Sequence, residues 1–95
     1  MHEVEELLCR ALTSMRTVEE CRDLLEDLLT PAEIRAFAQR VAVAVALADG
    51  ATYEQAMRLT GASSATISRV RRSLFDGCGG YRLALKRMKG AVDGS

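Results

Sequence analysis

Apolar positions recur every three or four residues from the start of the chain, the spacing that gives a helix one dry face. Val4, Leu7, Leu8, Ala11 and Leu12 form such a stripe and predict a helix from His2 to about Ser14. Cys21, Leu24, Leu25 and Leu28 form a second stripe, opened by Thr17 with Glu20 three residues on, the pattern of a capping box. A third start is marked more strongly. Thr30 stands as N-cap, Pro31 sits at the first helical position, where its missing N–H costs nothing, and Glu33 completes the box. From Ala36 to about Ala48 this helix is apolar all round, through Phe37, Val41, Val43, Val45 and Leu47, so it needs cover on every side. The run is short of the roughly 20 apolar residues of a membrane span, and Arg40 interrupts it. Two covers are open: a second subunit, or the two N-terminal helices folded back within one chain.

Asp49-Gly50 ends the third helix, since glycine suits the left-handed conformation at a helix C-terminus. Thr52 can then cap a short helix carrying Tyr53, Ala56, Met57 and Thr60 on one side; Gly61 breaks it, and Ser63 can cap another helix to about Phe75. The segment 52–75 therefore reads as helix, tight turn, helix. After the loop Gly77-Cys78-Gly79-Gly80, the residues Tyr81, Leu83, Ala84, Leu85 and Met88 predict a short final helix, with fraying expected from Gly90 to Ser95.

With 95 residues, 48% of them hydrophobic, one proline and no tryptophan, the composition fits a single all-α domain over 1–95. So small a core gains from self-association, which makes the third helix and the two before it, about 2–48, the expected dimerisation helices. The formal net charge is zero, but its distribution is uneven. Residues 1–33 carry nine acids and three bases; residues 58–89 carry one acid and eight bases. The C-terminal half can attract phosphate while the N-terminal half keeps the sum neutral.

A helix-turn-helix needs a second helix that lies in the major groove while its inner face stays locked to the first. Gly61 supplies the turn, and Ile67, Val70 and Leu74 supply the inner face. Ser63, Ser64, Ala65, Ser68, Arg69, Arg71 and Arg72 are left as the expected DNA-binding set. Serine hydroxyls and an alanine methyl at the helix start can approach base edges, and the arginines can reach phosphates. The alternative reading of this stretch is a solvated, charged helix face.

The stretches Leu28-Leu29-Thr30-Pro31-Ala32-Glu33, Gln39-Arg40-Val41 and Gly61-Ala62-Ser63-Ser64-Ala65-Thr66-Ile67-Ser68-Arg69 resemble the Trp repressor superfamily over roughly residues 28–75. The tail Asp76-Gly77-Cys78-Gly79-Gly80-Tyr81-Arg82-Leu83 is similar to its YerC/YecD branch. The resemblance implies a Trp-repressor-like helical bundle, an intertwined homodimer whose two helix-turn-helix heads read a palindromic operator in double-stranded DNA. It also implies that Arg40 and Arg69 stand where two arginines sandwich the indole in the tryptophan-sensing member. There the residue after the second arginine is glycine; here it is Val70, whose methyls would occupy the ring's space, so no tryptophan corepressor is expected. Glu54 and Met57 stand where that repressor has basic residues, which implies a different operator or weaker binding.

Little else suggests chemistry. His2 is the only histidine, Glu19-Glu20 and Glu26-Asp27 suit solvated helix faces, and no catalytic, metal or cofactor site is expected. Cys9, Cys21 and Cys78 are odd in number and lack CxxC spacing, which fits a reducing cytoplasm. Cys9 and Cys21 are expected in or beside the core, and Cys78 in an exposed loop. Arg40 has a second reading as a buried ion-pair partner. The expected function is sequence-specific regulation of transcription, with repression by operator occupancy; the alternative is a helical dimer acting as a protein-interaction module.

Overall fold

The computed structural model describes residues 2–93, with side chains through Gly90. The chain forms six helices: α1 (Glu3–Ser14), α2 (Val18–Leu28), α3 (Pro31–Ala48), α4 (Tyr53–Thr60), α5 (Ser64–Asp76) and α6 (Gly80–Asp93), with no strand among the described residues. None of these helices is long and apolar enough to cross a membrane.

Side-chain caps fix where α2 and α3 begin. The Thr17 hydroxyl accepts the Glu20 N–H at 3.0 Å, but the Glu20 carboxylate accepts from the Arg16 N–H at 2.8 Å, so the return bond of the expected box falls one residue upstream. At α3 the box is reciprocal: Thr30 N–H donates to the Glu33 carboxylate at 2.8 Å, and Glu33 N–H to the Thr30 hydroxyl at 3.2 Å. The Thr30 N–H, helped by its hydroxyl, holds the Glu33 carboxyl below its ordinary pKa.

The C-terminus of α3 closes in a Schellman motif. Gly50 adopts φ +94°, its N–H reaches the Leu47 carbonyl at 3.0 Å, and the Ala51 N–H reaches that of Ala46 at 3.0 Å. With Thr52 capping α4, the joint between α3 and α4 is only four residues long.

The chain divides into two compact units, one up to Arg35 and the other from Ala36 onward. In the first, no residue of α1 or α2 is buried, and Val4 and Val18 are 80% and 73% exposed. Cys9 is accordingly exposed, not a core residue as expected, because α1 is uncovered around it; Cys21 is half-buried. The second unit has a core of Val43, Ala44, Ala56, Ala62, Ile67 and Val70, edged by Ala46, Leu47, Ala51, Tyr81 and Leu85. Burying each of Val43, Ile67 and Val70 stabilises this unit by about 1.5–3 kcal/mol. Helix α5 packs against both α4 and α6. Phe37 and Val41, earlier in α3 than the buried Val43 and Ala44, stay close to half exposed, so the apolar stretch of this helix is only partly covered.

Helix α6 continues past Gly90 to Asp93, where fraying was expected; Gly94 and Ser95, the rest of that stretch, lie outside the described residues. An interior glycine costs a helix only about 1 kcal/mol relative to alanine, too little to end one anchored upstream by Tyr81 and Leu85.

Candidate nucleic-acid interface

Helices α4 and α5 and the turn between them are built from local hydrogen bonds. Thr52 and Gln55 form a reciprocal capping box, with Thr52 N–H donating to Gln55 Oε1 at 2.8 Å and Gln55 N–H to Thr52 Oγ1 at 3.2 Å. Gly61 ends α4 at φ +72°, its N–H reaching the Met57 carbonyl at 2.8 Å. The Thr60 hydroxyl donates to the Ala56 carbonyl at 2.7 Å and accepts the Ala62 N–H at 3.2 Å, so one side chain stitches both sides of the glycine. Gln39 on α3 donates its amide to the Thr60 carbonyl at 3.3 Å. The Ser63 hydroxyl then caps α5 by accepting the Thr66 N–H at 3.2 Å.

The two faces of α5 differ as the spacing of its residues requires. Ile67, Val70 and Leu74 are buried, which fixes the helix in rotation. Ser63, Ser64, Ala65, Ser68, Arg69, Arg71 and Arg72 are all exposed. The first turn of α5 contains no acid, so the positive end of the helix dipole is not neutralised by its own side chains. Glu54 and Met57 are exposed on α4.

Further side-chain contacts tie this surface together. The Arg71 guanidinium carbon lies 5.6 Å from the centroid of the Tyr53 ring on α4 and 5.8 Å from that of Phe75, within cation–π range of both. Hydrogen bonding from Ser68, and then from Arg71, lowers the pKa of the Tyr53 hydroxyl. On α6, Arg82 donates to the carbonyls of Leu74 at 2.8 Å and Phe75 at 3.1 Å, taking up carbonyls that the last turn of α5 leaves open. The Arg71–Phe75 pair is signalled by its i, i+4 spacing; the Tyr53 and Arg82 contacts join different helices and have no local signature.

Arg40, on α3, is half-buried with its guanidinium carbon 5.4 Å from the Phe37 ring centroid. No carboxylate pairs with it among the described residues, so a cation–π contact replaces the ion pair considered for it. No group of three or more potential metal ligands occurs among the described residues.

Residues 3–89 match the family model for the Trp repressor protein, a wider span than the sequence motifs alone cover. The chain is 45% identical over 82 residues to the uncharacterised protein YerC of Bacillus subtilis (strain 168), covering 86% of this chain and 79% of that one. Its fold is similar to the crystal structure of a candidate Trp repressor from Staphylococcus aureus, with a TM-score of 0.88 and 38% identity over 94% of this chain and 89% of that one. It is equally similar to a TrpR-like protein from Eubacterium eligens ATCC 27750, with a TM-score of 0.87 and 40% identity over 93% and 91% of the two chains.

Proposed function

The chain belongs to the Trp repressor family, in its YerC-like branch, a family of regulatory proteins and not of enzymes, and on that premise we propose that it regulates transcription by binding double-stranded DNA as a homodimer. The observation that carries this reading is the asymmetry of α5: a buried Ile67-Val70-Leu74 face behind an exposed face that is small at Ser64 and Ala65 and basic at Arg69, Arg71 and Arg72. The small end admits base edges to close approach, and the arginines neutralise phosphates, releasing counterions. Two heads related by a two-fold axis would read a palindromic operator with half-sites about one helical turn apart. The apolar side chains left exposed on α1, α2 and α3, Leu7, Leu28 and Val41 among them, support the homodimer, because a second copy would remove them from water. Repression follows from occupancy of the operator and needs no chemistry. Such a protein works in the compartment that holds the DNA, the bacterial cytoplasm.

Tryptophan is not expected to act as corepressor. Val70, at the position where the tryptophan sensor has glycine, is 1% exposed and packed with the core around Ile67. On this reading the Val70 methyls take the ring's space, and Arg40 and Arg69 are left as remnants of an indole site.

The test is selection of bound sequences from random duplex DNA at physiological salt, with Arg72→Ala run in parallel. A palindromic motif enriched by the parent and lost in the variant supports the regulator. A folded dimer that enriches nothing, and whose activity in cells survives Ser68→Glu, sinks it and leaves a protein-interaction module.

A further inference from the structure

Cations and aromatic rings alternate from α4 across α5 to α6: Tyr53, Arg71, Phe75, Arg82. Arg71 lies within 5.8 Å of both ring centroids, and Arg82 lies 5.7 Å from that of Phe75 while donating to two carbonyls of α5. The rings attract the Arg71 guanidinium through its charge, and beyond the bond it shares with the Tyr53 hydroxyl a guanidinium still has further N–H donors to offer. An open cleft beside this ladder is lined by Tyr53, Ser68, Arg71, Arg72, Phe75 and Asp76. Asp76, its one acid, forms no ion pair with Arg71 or Arg72, so the cleft keeps a net positive charge and two hydroxyls.

We propose that Tyr53 is a positioning residue for DNA binding: with Phe75 it presets Arg71, so that the Ser68 hydroxyl, Arg71 and Arg72 form one seat for a backbone phosphate of duplex DNA. The proposal rests on the DNA-binding reading above. Charge complementarity selects an anion. The cleft lies on the face of α5 that carries Ser68, so a phosphate seated there would hold the base-approaching end of the helix in register. A long side chain loses rotamer freedom when it binds, and a preset arginine loses less. Phosphate contacts of this kind fix orientation without reading sequence.

The experiment is a double-mutant cycle on duplex binding, followed across a salt series, with Tyr53→Leu, Arg71→Ala and the double variant; thermal melts confirm that each is folded. Arg71→Ala should reduce the slope of log affinity against log salt by about 0.9 per subunit, the signature of one lost phosphate contact. Tyr53→Leu should weaken binding roughly two- to fivefold in the parent and leave the Arg71→Ala protein unchanged, while Tyr53→Phe retains most of the ring's effect. Equal losses from Tyr53→Leu in both backgrounds, or an unchanged slope in Arg71→Ala, would overturn the proposal while DNA binding itself stands. A parent that shows no salt-sensitive binding removes the proposal together with the DNA-binding reading. A second measurement needs no DNA: in a Tyr81→Phe background, absorbance titration of Tyr53 should move upward when Arg71 becomes alanine, and no movement would mean that the two side chains are not coupled.

Discussion

Gly61 and Gly77 flank α5, and each resists a side chain for a different reason. Gly61 has open space where a Cβ would stand, but its φ of +72° is one that L-residues avoid. Gly61→Ala should therefore cost about 1 kcal/mol through the backbone alone. Gly77 has an ordinary φ of −87°, but a Cβ there would collide with the Ser73 carbonyl oxygen, which also accepts the Gly77 N–H at 3.1 Å. Gly77→Ala must push the chain off the last turn of α5, with an expected cost of about 1–3 kcal/mol. Thermal melts of the two variants should rank Gly77→Ala as the more damaging, and the reverse order would mean that the exit from α5 yields easily. Ile67→Ala empties a fully buried site beneath the exposed serines, so it should lose about 2–5 kcal/mol and DNA binding with it.

At the scale of the element, the helix starts were legible because a cap is a local contract between residues three apart. Thr30 with Glu33, Thr17 with Glu20 and Ser63 with Thr66 all make the bonds that their spacing suggests, apart from the Glu20 carboxylate, which turns to Arg16. Thr30→Ala should destabilise by about 1 kcal/mol. Glu33 adds a pH signature. Its folded pKa is depressed, so its contribution is present above the unfolded value and disappears as pH falls through the folded one. The stability difference between the parent and Glu33→Gln, followed by circular dichroism from pH 7 downward, should shrink below the ordinary carboxylate range; a constant difference would remove the carboxylate from the cap. The inner face of α5 was equally readable, since Ile67, Val70 and Leu74 share one side of a helix. Arg82 and Tyr53 were not, because their partners lie seven or more residues away on other helices. The exposure of Cys9 was missed for a related reason: an apolar stripe says that a face seeks cover, not that its own chain supplies it.

For the whole molecule, the charge asymmetry and the uncovered apolar side chains point in complementary directions. Acids concentrate in the first third and bases in the last, so affinity for duplex DNA should fall steeply with added salt although the net charge is zero. The dimer should show as a melting temperature that rises with protein concentration. Phe37→Glu with Val41→Glu, which place charge at the half-exposed apolar positions of α3, should yield monomers in sedimentation analysis with the α3–α6 core intact. An unchanged dimer would place the association surface elsewhere.

The second unit is assembled from helices that neighbour one another in sequence, joined by turns such as Thr60-Gly61-Ala62 whose hydrogen bonds close within a few residues. Such a topology has a low contact order, and helical proteins of this kind fold on a microsecond-to-millisecond scale. The unit from Ala36 onward should thus be formed long before two copies meet, since encounter depends on concentration. A newly made chain would carry a finished head while it still searches for its partner, and the pace at which regulation is established would be set by synthesis and encounter, not by folding.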